Sequence, residues 1–209
     1  NTWNNKAGVD GLPYVNSKYV SLVEGSPYFK EVWLKGRLVS SAGHEYKDLM
    51  LKLDLLDSKI HFQDAQGTDM TTSSPIKEIY LTDETATEYK FVHSSSMPKT
   101  DSKLREGWYL ELKAGKVSAY KSFDKQLSEK QPYGSGAYEQ RIRTIEKYVV
   151  LYENEFHTVK KLKDLPETLA NKKSEMEDFL KNKDDKALTM DARFAAAIEY
   201  YNSLFKEEK

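Results

Sequence analysis

The sequence predicts a mainly β fold of the α+β class, an antiparallel curved sheet or barrel-like meander of about eight to ten strands followed by C-terminal helices. Three observations carry this reading. Leu49, Leu51, Leu53 and Leu55 alternate with Asp48, Met50, Lys52 and Asp54, and a period of two puts the leucines on one face of a strand. Similar segments recur at a spacing of roughly 10–15 residues, punctuated by short turns. After Leu162 the period changes from two to that of a helix.

The elements follow in order. Val32 to Ser40 reads as a strand, and Ala42-Gly43 turns it into the leucine strand Tyr46 to Leu56. Asp57-Ser58 is the next turn, and Ile60 with Phe62 continues the alternation. Gln66-Gly67 turns the chain again, because glycine supplies the positive φ of a tight hairpin. Ile76 to Thr82 is a strand entered through Pro75, and Tyr89 to His93 is a short one. Trp108 to Lys113 and Lys116 to Phe123 form a hairpin across Ala114-Gly115. Tyr148 to Tyr152 and Phe156 to Lys160 form another across Glu153-Asn154.

Ser94 to Ser102 and Glu129 to Gly136 break the alternation and read as connections. Between them and Tyr148 the signal is mixed. Tyr138, Ile142, Ile145 and Val149 recur at helical spacing while Tyr148, Val149 and Val150 favour strand, so a long bulged strand is expected. Asp164 is a candidate N-cap with Pro166 in the first turn and Glu167 at capping-box distance. Asn171 is placed to cap a second helix over Met176, Phe179 and Leu180, and Thr189 to cap a third. Met190, Phe194, Ile198, Tyr201 and Phe205 form the inner stripe of that last helix, with Asp191, Arg193, Glu199 and Lys206 on its outer face. The organisation expected is an N-terminal leader at 1–27, a β body at 28–162 and a helical segment at 163–209 packed on that body.

Composition excludes several classes of function. Apolar residues make up 39% of the 209, enough for a packed core, and 32 basic side chains balance 33 acidic ones. Lysines number 27 against 5 arginines. Specific phosphate or base recognition favours arginine forks, so no nucleic-acid partner is expected. The longest apolar run, Tyr148 to Tyr152, is far too short for a transmembrane segment. The chain has no cysteine, which removes disulfides, thiolate metal sites and cysteine nucleophiles. It opens at Asn1 rather than Met, which predicts removal of an earlier segment, either a cleaved signal peptide or a trimmed start.

Chemical motifs are sparse. His44, His61, His93 and His157 are scattered and form no i, i+2 or i, i+4 pair, so no metal site is expected. Asp64 and Asp69 flank Gly67, but a calcium loop needs more oxygen ligands and a distal bidentate Glu, and a hairpin turn is the better reading. Gly134-Ser135-Gly136 is a loop rather than a nucleophile elbow, and no phosphate-binding glycine loop is present. Carboxylate pairs for glycoside hydrolysis are defined by distance in space, so sequence spacing leaves that chemistry open. Tyr14, Trp108 and Tyr133 are loop-borne aromatics next to Pro or Gly, the best candidates for an exposed stacking surface. The Lys160 to Lys186 stretch mixes lysines with acids as a solvated surface. No catalytic, cofactor-binding or metal-ligating residue is assigned, and no cofactor is expected.

Four segments carry a family likeness: Pro75-Ile76-Lys77-Glu78-Ile79-Tyr80-Leu81-Thr82-Asp83, Gly115-Lys116-Val117, Lys160-Lys161-Leu162-Lys163-Asp164-Leu165-Pro166 and Tyr200-Tyr201-Asn202. Together the chain resembles a group of uncharacterised, exported β-rich proteins of Bacteroidetes-type bacteria. The resemblance spans most of residues 28–205, and its motifs are structural punctuation. It implies a periplasmic or cell-envelope location and brings no activity with it. The expected role is a non-catalytic envelope binding or structural module whose partner is an envelope protein or an apolar ligand. The alternatives are a glycan- or peptide-acting hydrolase using carboxylates on the sheet, or a subunit of a larger envelope assembly. Convergent acids with shifted pKa values in a deep pocket favour the hydrolase, an apolar groove favours binding, and a large exposed apolar patch favours assembly.

Overall fold

The computed structural model describes residues 8–100, 104–182 and 187–205. Twelve strands lie in one sheet: β1 (Gly11–Pro13), β2 (Leu22–Glu24), β3 (Leu34–Ser40), β4 (Glu45–Asp54), β5 (Lys59–Gln63), β6 (Asp69–Thr72), β7 (Ile76–Thr82), β8 (Glu88–His93), β9 (Trp108–Lys113), β10 (Ser118–Lys130), β11 (Glu139–Tyr152) and β12 (Glu155–Val159). Three helices follow: α1 (Leu165–Thr168), α2 (Lys173–Asn182) and α3 (Met190–Ser203). The sheet order is β1-β6-β5-β4-β3-β7-β8-β9-β10-β11-β12, with β2 added to β11. Every pairing is antiparallel except that of β2 with β11, and the sheet is not closed.

The expected antiparallel meander is therefore present, with C-terminal helices. Alternation along β4 buries Leu49, Leu51 and Leu53 against Ile60 and Phe62 of β5, and Ile79, Leu81, Phe91 and Leu110 join them on the same face. The sheet curls enough for the indole N–H of Trp108, in β9, to donate to the Ser58 carbonyl between β4 and β5 at 3.3 Å. The same face of β10 and β11 carries Val117, Ala119, Val150 and Tyr152, which with Val159 of β12 pack on the helices. A smaller cluster of Val92, Tyr109, Tyr120 and Val149 fills the opposite face, as the two-residue period requires. Among the described residues no helix is long and apolar enough to cross a membrane.

Several boundaries differ from the sequence reading. Residues from 8 onward of the expected leader are woven into the body: Val9 is buried in the core, β1 pairs with β6, and β2 lies along β11. Residues 1–7 lie outside the described chain. β10 runs on to Lys130 and β11 starts at Glu139, so the two pair over their whole length. Apart from Gln140 and Ile142, which are buried where the N-terminal segment lies along β11, the far half of this ribbon is largely polar and exposed, which is why its alternation was weak. β11 is strand through 139–147, as expected, and pairs with β10 without the expected bulge.

The helices are also shorter than their caps suggested. Asp164 stands at the N-cap of α1 without a side-chain bond, and α1 ends after one turn. Asn171 lies in a 3-10 turn and accepts a hydrogen bond from the Tyr201 hydroxyl at 2.5 Å instead of capping α2. Thr189 does cap α3, accepting from the Ala192 amide. Phe194, Ala197, Ile198 and Tyr201 are fully buried, Phe205 is half-buried, and Met190, at the first position of the helix, is exposed. Asp191, expected outside, turns to Lys121, whereas Glu199 pairs with Lys113 at the surface. Lys206 lies outside the described residues.

Two of the likeness segments meet in space. Asn202 of α3 accepts from the Val117 amide at 2.8 Å and donates to the Val117 carbonyl at 2.9 Å. A Cβ on Gly115, between β9 and β10, would lie 2.4 Å from the Asn202 amide nitrogen, so a larger residue there would push the Asn202 side chain out of its place.

Candidate functional site: a lysine pocket on the concave face

Between the apolar core of β3–β9 and the helical core lies a polar interruption. From Val117 on into β10 the inward positions read Val117, Ala119, Lys121, Phe123 and Lys125, so strand parity delivers two lysines to the face that elsewhere holds aliphatic side chains. Both are buried. In register beside them β11 places Thr144, Glu146 and Tyr148. Asp191 comes from the first turn of α3, Tyr89 from β8, and Phe29 and Lys30 from the segment ahead of β3. Together they line a cavity of about 340 Å³, with Leu55, Leu110 and Phe123 as its apolar wall. Lys125 also borders a smaller cavity of about 190 Å³ next to Trp108 and Ser58, so it stands between the two.

The two lysines have different surroundings. The Lys121 ammonium lies 2.8 Å from Glu146 and 3.0 Å from Asp191, and Asp191 also accepts from the Tyr148 hydroxyl at 2.6 Å. Burial acts to lower the Lys121 pKa, but the two carboxylates outweigh it and the pKa rises. Lys125 donates to the Ser26 carbonyl at 2.8 Å and to the Thr144 hydroxyl at 3.2 Å, with no carboxylate ion-paired to it among the described residues. Burial lowers its pKa. An ammonium has three donors, so one remains for a guest. Lys30 is spoken for: it pairs with Asp83 at 3.0 Å and lies 3.3 Å from the Tyr89 hydroxyl. Hydrogen bonds from Thr85, then Lys30, hold the Asp83 carboxyl well below its ordinary pKa.

Two carboxylates, Glu146 and Asp191, do converge in this pocket, but both are ion-paired to Lys121. Asp54 has its pKa raised by burial, yet its oxygens accept from the Leu56 and Asp57 amides and from the Tyr19 hydroxyl, which fixes the turn after β4. Asp64 accepts from the Gln66 and Thr68 amides, making the Gly67 hairpin, and Asp69 lies in β6. Protein-family models, curated proteins and solved structures were each compared with the chain, and none matches.

The other residues marked in the sequence are dispersed. His44 is exposed in its turn. His93 accepts from the Ser95 amide and packs edge-on to Trp108, and burial lowers its pKa. His157 is half-buried near Glu155. Trp108 is buried and Tyr133 fully exposed. Besides His93 and Trp108, Tyr14 and His61 come together, stacked with ring centroids 3.8 Å apart. Lys121 and Lys125 were not singled out by the sequence reading. The signal that marks them is parity: once Val117 and Ala119 are assigned inward, positions 121 and 125 point inward too.

Proposed function

We propose that this protein is a non-catalytic binding module whose guest is a small amphipathic anion, with its carboxylate or similar group on Lys125 and its apolar part against Phe29, Phe123 and Leu110. The observation that carries the reading is the buried Lys125 ammonium, bordering a cavity with neutral partners only. A buried cation with a spare donor favours an anion, because a charge-assisted bond in a desolvated site is stronger than one in water. Raised carboxyl pKa values in a shared pocket would favour a hydrolase; the raised carboxyl here, Asp54, is consumed in a turn. A periplasmic or cell-envelope location, which the resemblance implies, is part of the proposal.

Octanoate is a suitable probe. Calorimetric titration is expected to show saturable one-to-one binding, weakened roughly 10- to 100-fold by Lys125→Met, since a hydrogen bond to a charged group contributes about 1.5–3 kcal/mol. Equal binding by the two folded proteins, or none by the wild type, would refute the assignment.

A second reading, assembly into a larger envelope structure, has one observation in its favour. Leu12, Val15, Val20, Val23 and Val32 are all more than half exposed and all fall within residues 12–32. Under that reading the thermal midpoint rises with protein concentration.

A further inference from the structure

The N-terminal segment builds a second pocket, on the outer face of the sheet. Lys52, His61 and Asp69 stand on the outward parity of β4, β5 and β6, with Lys52 directly opposite His61. Tyr14, Asn16, Tyr28, Glu31 and Trp33 of the N-terminal segment come over them. Tyr14 is held by its amide donating to the Asp69 carbonyl at 2.9 Å, and its ring stacks on the His61 imidazole. Tyr28 meets the same imidazole edge-on at 6.0 Å. Asn16, Glu31 and the half-buried Trp33 complete a cavity of about 270 Å³. His61 is 1% exposed; its Nδ1 lies 2.8 Å from the Thr71 hydroxyl, and its Nε2 is buried with no hydrogen-bond partner. His61 is one of the residues that line the cavity, and its buried ring nitrogen lacks a hydrogen-bond partner.

The lining decides the class of ligand. A cation finds its place taken, because the Lys52 ammonium lies 4.1 Å from the centre of the Tyr28 ring and 3.7 Å from Glu31. An anion meets both Glu31 and Asp69. What suits three aromatic rings rimmed by donors and acceptors of both signs is a neutral ring with apolar C–H faces and hydroxyls at its edge. A hydroxyl both donates and accepts, so it would satisfy His61 Nε2 in either tautomer. The volume falls just below the roughly 300–1,000 Å³ of drug-sized sites, which fits one such ring rather than an extended chain.

We propose that the pocket of Tyr14, Tyr28, Trp33 and His61 binds a single neutral sugar ring, stacked on the aromatic side chains and hydrogen-bonded through His61, Asn16 and the Asp69 carboxylate. This site is separate from the lysine pocket and does not depend on it.

The test titrates N-acetylglucosamine, methyl glucoside and methyl galactoside into the full chain, followed by calorimetry and tryptophan fluorescence. At least one sugar should bind with a dissociation constant on the order of 1 mM. Trp33→Ala should weaken it roughly ten-fold, by loss of a stacking face. His61→Phe keeps the ring that stacks on Tyr14 but removes the orphan nitrogen, together with the Nδ1–Thr71 hydrogen bond, so it should still fold yet lose binding. That pairing separates a binding role from a structural one, and it stands even if Trp33→Ala fails to fold. Absence of saturable binding by all three sugars, undiminished binding by the His61→Phe protein, or tighter binding of tetramethylammonium or sulfate than of any sugar would overturn the proposal.

Discussion

Truncation of Phe194 probes how the helices are held. The ring is fully buried and lies parallel to the Tyr148 ring of β11, with centroids 3.9 Å apart and planes within 6°. Removing a buried Phe to Ala costs about 3–5 kcal/mol, the transfer of the ring plus the void it leaves. Of that, about 0.5–1.5 kcal/mol belongs to the aromatic pair. The loss is specific to docking, because an isolated helix of this length is marginal in water and owes its order to the surface beneath it. For a chain of this size each kcal/mol shifts Tm by about 2–4 °C, so Phe194→Ala should melt roughly 6–20 °C lower. Met190, which the sequence placed on the same stripe, is 45% exposed, and Met190→Ala should stay within about 0.5 kcal/mol of wild type. Urea unfolding of the three proteins, with equal slopes, makes the comparison. A Phe194→Ala cost below about 1 kcal/mol, or one equal to that of Met190→Ala, would refute the packing argument.

Two further outcomes follow from the geometry. Asn202→Ala should cost about 1–3 kcal/mol by stranding the Val117 amide and carbonyl. Gly115→Ala should be destabilising in the wild type but much less so in the Asn202→Ala background, and additive costs in the double mutant would contradict the contact. His61 is held neutral in the fold, chiefly by burial, with its pKa lowered to about 4 from an ordinary 6.5. The unfolded chain therefore binds a proton that the folded chain refuses, and stability falls as pH drops from 6.5 towards 4. At full effect this loss is on the order of 3 kcal/mol. His61→Phe should flatten that part of the profile in urea titrations across the range, and a profile unchanged by the substitution would show that His61 is not its source.

How much of this was legible in the sequence depended on burial. Ile76–Thr82 and Trp108–Lys113 have the bounds that alternation and flanking turns gave them, because one face of each packs into the core. The Thr189 cap and the Phe194, Ile198 and Tyr201 stripe were legible for the same reason. β2 was not: three residues long, it is specified by a parallel partner well over a hundred positions away, and no local pattern encodes that. The outer half of β10 and β11 lacks an apolar face, so its strand character arises from the ribbon and not from composition. The sites were the least legible. Tyr14 was marked as a loop aromatic and His61 as an isolated histidine, but nothing in the sequence joins them; their stacking depends on the N-terminal segment crossing β5. Lys125 was hidden by the habit of reading lysine as outward. Only its parity with Phe123 marks it as facing the core.

The measurement closest to the central claim is a crystal structure of the protein soaked with octanoate. The account predicts the carboxylate within hydrogen-bonding distance of Lys125 Nζ, with the Ser26 and Thr144 contacts retained and the chain lying against Phe29, Phe123 and Leu110. A carboxylate seated elsewhere, with Lys125 still donating only to Ser26 and Thr144, would contradict it.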